Sequence, residues 1–196
     1  MIKRVFDFIA SGLGLILLSL FFIILAIWIK LDSSGPVFYK QVRVGKGGKD
    51  FYLYKFRSMH TGSDKKGLIT IGGRDPRVTR SGYFIRKYKL DELPQLINVL
   101  IGDMSLVGPR PEVRKYVNLY NEQQLNVLSV KPGITDLASI RYRNENELLA
   151  QAENPETYYI HVIMPDKLRI NLEYIKHAGF VRDLKIIIQT IVAIFR

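Results

Sequence analysis

The residues best suited to chemistry are two adjacent carboxylates, Asp91 and Glu92, at the head of an apolar run. A carboxylate can attack phosphorus and give an acyl phosphate, and a neighbouring carboxylate can take a proton or bind a metal. Basic residues flank the pair at Arg86, Lys87 and Lys89. Mg²⁺ is commonly bound by one or two carboxylates together with substrate phosphates. The stretch therefore indicates a site for a phosphate ester and a divalent cation.

A structural role is the alternative for the same pair. Apolar residues recur at helical spacing around it, at Leu90, Leu93, Leu96, Ile97 and Leu100. Acidic residues in the first turn of such a helix are stabilised by the helix dipole. Arg86 precedes Asp91 by five positions, so a continuous helix would rotate it away, whereas a break near Lys89 would bring the two together.

Composition limits the classes of protein and of partner. The chain has 196 residues, of which 47% are hydrophobic and 24% charged, as expected of one folded domain. A net charge of +11 indicates a polyanionic partner, which is nucleic acid, an anionic membrane surface or a phosphorylated substrate. The chain has no cysteine, which excludes disulfides and thiolate metal sites.

Other motifs of phosphate or metal chemistry are missing. There is no phosphate loop of the GxxxxGK[ST] type, no GxGxxG after a strand and no HExxH. The three histidines are scattered without ligand spacing and are interpreted as surface or core residues. The acidic pair and the basic residues around it remain as the candidate site.

An uncharged segment of roughly 22 residues runs from Phe8 to Ile29. As one helix it would be about 33 Å long, enough to cross a bilayer. Basic residues lie on both sides of it, so sending either end across is disfavoured. We expect residues 5–29 to enter the membrane, bend and return, with Gly12, Gly14 and Ser19 as the candidate bending points.

The next segment predicts a β-hairpin. Val37 to Val44 alternates, Gly45 to Gly48 is a turn, and Phe51 to Phe56 returns. Lys55 and Arg57 lie two apart at its end and share a face if the strand continues. They either contact a phosphate or form a solvated basic edge.

The rest of the chain predicts mostly helices. Residues 61–82, which include Arg74, are interpreted as a surface loop. The remaining segments are a polar helix over 112–129, an irregular or strand-like piece over 136–143, and helices over 145–152, 165–177 and 181–196. The last one is basic and amphipathic, so it lies either in the membrane interface or on the domain core.

Four stretches of the sequence carry a resemblance to a known family: KRVFDF, KLDSSGPVFYKQVRVGKGGKDFYLYKFRSM, LDELPQLINVLIGDMSLVGPRPE and KPGIT. They cover most of residues 3–135 in the family's order. The chain resembles the bacterial sugar transferases of the monotopic phosphoglycosyl transferase superfamily, in the small form that consists of the catalytic core alone.

The resemblance implies a reaction and its residues. Such enzymes transfer a phosphosugar from a UDP-sugar to undecaprenyl phosphate and release UMP, through a phosphosugar-aspartyl intermediate and with Mg²⁺. It implies Asp91 as the nucleophile, and Glu92 as the residue that places the metal or activates the acceptor. The phosphate-binding residues it implies are Lys55, Arg86 and Arg110, to which the hairpin pattern adds Arg57.

Two departures from the family pattern bear on these expectations. The family's membrane helix usually breaks at Ser-Pro, whereas this chain has Ser19-Leu20, and proline is the stronger bending residue. After KPGIT the family often continues Gly-Trp-Ala-Gln-Val-Asn-Gly-Arg, whereas this chain has a different sequence from Asp136 to Arg143. That region bears on the choice of sugar.

The sequence as a whole predicts a mainly helical α+β fold. It divides into a re-entrant membrane helix at 1–30 and a cytoplasmic catalytic domain at 31–196, which carries the hairpin and interfacial amphipathic helices. The expected partners are a UDP-sugar, undecaprenyl phosphate, the inner membrane of a bacterium and a possible second copy of the chain. A scaffold that anchors other glycan enzymes is the alternative, whereas a nucleic-acid-binding protein leaves the uncharged segment unexplained.

Overall fold

The computed structural model describes residues 2–63, 67, 69–72 and 75–194. Arg74 and part of the predicted loop 61–82, together with the last two residues of the predicted helix 181–196, lie outside them. The described residues form a mixed structure that is 60% helical with small sheets, which confirms the predicted mixture of helix and strand.

Helices dominate the order of the elements. The helices are α1 (Ile2–Leu17), α2 (Ser19–Asp32), α3 (Arg80–Lys87), α4 (Gln95–Ile101), α5 (Arg114–Val117), α6 (Glu122–Leu125), α7 (Leu137–Arg141), α8 (Glu145–Gln151), α9 (Pro155–Tyr158), α10 (Met164–Lys176) and α11 (Phe180–Ile194). The strands are β1 (Phe38–Val44), β2 (Asp50–Phe56), β3 (Ser105–Val107) and β4 (Gly133–Thr135).

The uncharged segment is bent, as predicted. Helices α1 and α2 meet at Leu18, where ψ is 0°, and their axes differ by 60°. The exposed Ser19 side chain hydrogen-bonds to no described residue, so a serine bond is not the cause of the bend. Within the described ranges no single helix is long and apolar enough to cross a membrane, whereas α1 and α2 together are, by length and composition.

Gly12 and Gly14 of α1 do not lie at the bend, where they were predicted to act, and have a packing role instead. They face α4, and a Cβ atom on Gly14 would lie 3.2 Å from Leu96 Cδ1. Their lack of a side chain therefore lets α1 approach α4 closely. A separate contact joins α1 to β3, since buried Asp7 accepts hydrogen bonds from Ser105 Oγ at 2.8 Å and from the Leu106 amide at 3.1 Å.

The hairpin prediction is confirmed, and a second sheet appears that the sequence did not predict. Strands β1 and β2 pair antiparallel, with Tyr39 opposite Lys55. Strands β3 and β4 form a short parallel pair. Because β3 leads into Gly108-Pro-Arg-Pro111 and β4 belongs to Lys131-Pro-Gly-Ile-Thr135, the parallel pair brings two separate motifs together.

Two predicted elements are wrong. The polar helix over 112–129 is instead α5, α6 and a 3₁₀ turn at Asn126–Ser129, because Asn121 begins a new helix with a capping box. The strand-like piece over 136–143 is helix α7, because the Asp136 side chain accepts a hydrogen bond from the Ser139 amide at 2.6 Å and caps it.

The carboxyl-terminal helices form the other side of the fold. Helix α10 has Pro165 in its first turn, as predicted, and is preceded by α9 and a π-helical turn at Tyr159–Ile163. In α11, Ile186 is buried against Val107 and Tyr174, whereas Val181 and Ile188 are exposed. Helix α11 therefore packs on the core with one face and presents an apolar second face.

Candidate active site

A tight turn between α3 and α4 holds the acidic pair. Helix α3 ends before Lys89, which adopts the left-handed conformation (φ 56°, ψ 22°), and a 3₁₀ turn at Leu90–Glu92 follows. The left-handed region is costly for a residue with a side chain. The helix break that would place Arg86 beside Asp91 is therefore present at Lys89.

Glu92 is held by two cations. Arg110 Nη1 donates to Glu92 Oε2 at 2.9 Å, Arg110 Nη2 donates to Oε1, and Lys55 Nζ lies 4.0 Å from Oε1. Burial alone would raise the pKa of Glu92, but the charges of Arg110 and Lys55 outweigh it and hold that pKa well below its usual range. The charge of Glu92 in turn raises the pKa of Arg110. Glu92 is thus a fixed anion.

Asp91 differs from its neighbour. It is 6% exposed, and its Oδ1 atom is buried with no hydrogen-bond partner among the described residues. Burial and the charge of Glu92 raise the pKa of Asp91, against the opposing charges of Lys55 and Arg86. A buried acceptor without a donor is costly in a native structure. Asp91 is therefore arranged for a group that the protein alone does not supply.

The surroundings of Lys55 change the pKa of its ammonium group. It comes from β2 and its side chain is 16% exposed. Burial lowers its pKa to about 8, although the charge of Glu92 opposes that change. Its protonation therefore changes just above neutral pH.

Arg86 lies in the last turn of α3, where its Nη2 donates to Thr70 Oγ1 at 2.9 Å. It lines the same cavity as Lys55, Asp91, Glu92 and Arg110. The structure thus brings together five residues that the sequence analysis selected from three separate stretches.

Arg57 belongs to another contact. Its guanidinium group donates to the Ser34 carbonyl, to the Ser33 carbonyl at 2.7 Å and to the Ile29 carbonyl at 3.2 Å. These groups lie at the end of α2, where a cation is stabilised by the helix dipole. Strand β2 ends at Phe56, so Arg57 no longer follows the alternation that would place it beside Lys55. Arg57 nevertheless lines the same cavity. Its binding to a substrate phosphate stays a prediction, which the contacts of its two Nη atoms do not favour.

The loop that carries Arg110 is fixed by close backbone contacts. The Arg110 amide donates to Asp136 Oδ2 at 2.9 Å, and the Gly133 amide donates to the Pro109 carbonyl at 2.9 Å. A Cβ atom on Gly108 would lie 2.6 Å from the Lys131 carbonyl oxygen. Glycine is required at this crossing because the two backbones leave no space for a side chain.

The acidic pair opens into a cavity of about 1190 Å³. Residues of α7, α8, α10 and α11 and of the turns beside them also line it, with polar side chains that include Tyr142, Asn144, Glu145, Lys167 and Asn171. The cavity therefore combines the charged groups around Asp91 with further polar and apolar lining.

Glu112 is a further acid that lines this cavity, and its side chain is partly buried. Glu112 accepts hydrogen bonds from Arg43 Nη1 at 2.9 Å and from the Tyr159 hydroxyl. Burial would raise the pKa of Glu112, but Arg43 and Tyr159 more than offset it and lower that pKa. The only sequence feature that points to Glu112 as a site residue is its position directly after the Gly-Pro-Arg-Pro loop.

A cation at this site would need ligands from outside the chain. Over the residues that the structure describes, no three or more His, Asp or Glu side chains converge on one point. Asp91 Oδ1 is a free acceptor, and a carboxylate such as Glu92 retains lone pairs beside its two hydrogen bonds. The pair fits a hard cation that takes its other ligands from phosphate and water.

Comparison with known proteins identifies a family and several relatives that match this chain over nearly its whole length. The family described as "Bacterial sugar transferase" matches residues 1–196. The Aeromonas hydrophila protein named "UDP-N-acetylgalactosamine-undecaprenyl-phosphate N-acetylgalactosaminephosphotransferase" is 39% identical over 193 residues, which are 97% of this chain and 43% of that protein.

Two further relatives differ in length. The Escherichia coli "UDP-glucose:undecaprenyl-phosphate glucose-1-phosphate transferase" is 37% identical over 199 residues, covering 97% of this chain and 39% of that protein. The Rhizobium leguminosarum "Exopolysaccharide production protein PSS" is 38% identical over 200 residues, covering 98% of this chain and 94% of that protein. The chain thus spans less than half of the first two relatives and nearly all of the third.

Proposed function

This chain belongs to the bacterial sugar transferase family, and we propose that it transfers a phosphosugar from a UDP-sugar to undecaprenyl phosphate and releases UMP. The observation that carries the proposal is Asp91, a buried carboxylate with an unpartnered oxygen beside Lys55, Arg86 and Arg110. The relatives with named donors use different sugars. The proposal therefore names the donor by class, as a UDP-sugar that supplies a surface polysaccharide.

The reaction proceeds in two displacements at one phosphorus. In the first, an Asp91 oxygen bonds to the phosphorus that carries the sugar, and the bond to the bridging oxygen breaks, so UMP leaves with the electron pair. In the second, a phosphate oxygen of the acceptor attacks the same phosphorus and frees the Asp91 carboxylate. The product is a lipid diphosphate sugar. A carboxylate nucleophile divides one difficult transfer into two easier ones.

The basic residues supply charge for both steps. Lys55, Arg86 and Arg110 line the cavity around Asp91, so they neutralise the donor diphosphate and the charge that develops on the leaving oxygen. Glu92 holds Arg110 in place through two hydrogen bonds. Its fixed negative charge also keeps Lys55 protonated to a higher pH than burial alone would allow.

The proposed cofactor is Mg²⁺, which Asp91 and Glu92 would hold. When bound, it would neutralise charge on the transferred phosphate. The free Oδ1 atom of Asp91 is the feature of this chain that fits it.

The same proposal places the protein on a bacterial inner membrane with its cavity towards the cytoplasm, where UDP-sugars are made. Helices α1 and α2 expose a continuous set of large apolar side chains. The start of α1 is bound to the catalytic body, since Arg4 donates to the Val99 carbonyl at 2.5 Å and to the Leu100 carbonyl at 2.9 Å. This anchoring of the start of α1 to the body that follows α2 supports a re-entrant arrangement of the pair.

Membrane topology can be measured with one cysteine in this cysteine-free chain. Ile2→Cys lies at an exposed position, and a membrane-impermeant maleimide should label it only after the inner membrane is broken. Labelling in intact cells whose outer membrane is permeabilised would show that the helix pair spans the membrane and would contradict the re-entrant arrangement.

Catalysis can be tested by UMP release from a panel of UDP-sugars, with undecaprenyl phosphate and Mg²⁺. Asp91→Asn should fold and abolish turnover, because an amide is a poor nucleophile. Asp103→Asn, an aspartate outside the cavity lining at the far end of α4, is the matched control and should keep wild-type activity. A non-catalytic scaffold predicts no UMP from either protein, and wild-type activity of a folded Asp91→Asn protein would refute the covalent mechanism.

A further inference from the structure

A row of three aromatic rings connects the bent helix pair to the cavity. Trp28 of α2 lies 5.4 Å from Phe84 of α3, and Phe84 lies 4.8 Å from Tyr88, measured between ring centroids. Trp28 is 39% exposed and Phe84 is 47% exposed. The row is therefore an open apolar surface and not part of the buried core.

One end of the row continues along α2. The exposed side chains there follow helical spacing on one face: Leu20, Ile23, Ile24, Ile27 and Leu31. Together with Trp28 they form a stripe that starts beside the bend at Leu18. In the proposed membrane arrangement this stripe faces the acyl chains of the bilayer.

The other end of the row reaches the catalytic cavity. Tyr88 lines that cavity together with Lys87, Lys89 and Asp91. Lys87 and Lys89 are exposed, and Lys87 Nζ lies 5.3 Å from the centroid of the Tyr88 ring. The apolar surface therefore ends at two cations next to the proposed nucleophile.

We propose that this row of rings, Trp28–Phe84–Tyr88, binds the isoprenoid chain of the lipid acceptor and guides its phosphate to Asp91. The inference rests on the function proposed above and adds the location of the acceptor. An apolar track that begins at a lipid-facing helix and ends at lysines matches a molecule with a long hydrocarbon chain and one anionic end. A nucleotide sugar could stack its base on one ring, but it has no long hydrocarbon chain to lie along the row.

The general alternative is that these aromatic residues only anchor the protein at the membrane surface, as exposed Trp and Tyr often do. The two roles predict that different measured properties depend on the three rings. An anchor affects membrane binding, and with it every lipid substrate. A track affects only acceptors with a chain long enough to lie on it.

The test uses Trp28→Ala, Phe84→Ala and the double variant of the full-length chain. Tyr52→Ala is the control, since Tyr52 is a 60% exposed aromatic residue on the hairpin with no ring partner within the described ranges. The KM is measured for undecaprenyl phosphate and for a polyprenyl phosphate of two isoprene units. UMP release without any acceptor and sedimentation with vesicles are measured on the same samples.

The double variant should raise the KM for undecaprenyl phosphate by about tenfold, the effect of losing one to two well-packed aromatic contacts. The KM for the short acceptor, UMP release without acceptor, and vesicle binding should stay as in the control. An equal rise for both acceptors with weaker vesicle binding would overturn the track in favour of an anchor. An unchanged KM for both acceptors would also overturn it.

Failure of the underlying function gives a different result, because the wild-type protein would then release no UMP at all. A photoreactive polyprenyl phosphate provides a test that does not depend on variants. Crosslinks on the peptides that contain Trp28 or Phe84 are expected, and crosslinks confined to α1 and α11 would contradict the proposal.

Discussion

Lys55 should give the reaction an alkaline limit. Because burial lowers its pKa to about 8, the free enzyme carries this cation below that pH and loses it above. The proposed role of Lys55 is to neutralise the donor diphosphate, so only the protonated form should bind the donor well. We expect kcat/KM for the UDP-sugar to be level near neutral pH and to fall as the pH rises through about 8.

The size of the effect follows from the geometry. If the cation is required, kcat/KM falls by about tenfold for each pH unit above the pKa. The Lys55 ammonium lies 4.0 Å from Glu92, beyond hydrogen-bonding distance, so this ion pair leaves its N–H groups available to a phosphate. Lys55→Ala should then lose one charge-assisted contact of about 1.5–3 kcal/mol, or roughly ten- to a hundredfold in kcat/KM at neutral pH.

Lys55→Arg separates the charge from its titration. A guanidinium group stays protonated throughout this pH range, so the alkaline fall should disappear in Lys55→Arg even if its maximum rate is lower. Lys40→Arg, an exposed lysine on the same hairpin, is the control and should keep the fall. The measurement is initial UMP release against UDP-sugar concentration at each pH. The same alkaline fall in Lys55→Arg would refute the assignment to Lys55.

Three further outcomes follow from the contacts in the site. Arg86→Ala or Arg110→Ala should lower kcat/KM for the donor roughly ten- to a hundredfold. Arg110→Lys should lose less activity than Arg110→Ala because it keeps the positive charge. Equal losses in the two Arg110 variants would contradict a role for the charge alone. Arg57→Leu should lower the free energy of unfolding by roughly 2 kcal/mol and leave the donor KM nearly unchanged, because Arg57 binds carbonyl groups at the end of α2; thermal unfolding and kinetics on one sample decide this. Gly133→Ala should displace the Arg110 loop and reduce UMP release, since a Cβ atom there meets the backbone of Gly108, whereas Gly179→Ala, with open space around it, should be neutral.

Sequence alone was sufficient where the signal is local. The hairpin follows from alternation over two seven-residue strands and a glycine turn, and the bend follows from the length and charge pattern of the uncharged segment. The break at Lys89 was one of two alternatives in the sequence, because Arg86 and Asp91 are wrongly spaced to meet on one continuous helix. Each of these conclusions needs only residues that are close in the chain.

Contacts between distant residues could not be predicted in this way. Strands β3 and β4 have three residues each, too few for periodicity, and their pairing is decided by the crossing of Gly108 and Gly133. Arg57 has the same residue type and spacing as a phosphate ligand, but its two Nη atoms donate to carbonyl groups at the end of α2. The role of Asp136 as a cap for α7 was hidden because the residues after it have no helical pattern.

The link between Lys3 and Asp183 has a consequence for how the protein is made. Lys3 Nζ donates to the Val107 carbonyl at 3.0 Å and pairs with the Asp183 carboxylate, 180 positions later. A ribosome adds about 5–20 residues per second, so Lys3 waits on the order of ten seconds or longer before its partner exists. During that interval α1 has no finished body to pack against, and its apolar face must be sheltered by lipid or a chaperone. In the membrane arrangement proposed above, helices α1 and α2 would therefore meet the lipid before the catalytic site is assembled.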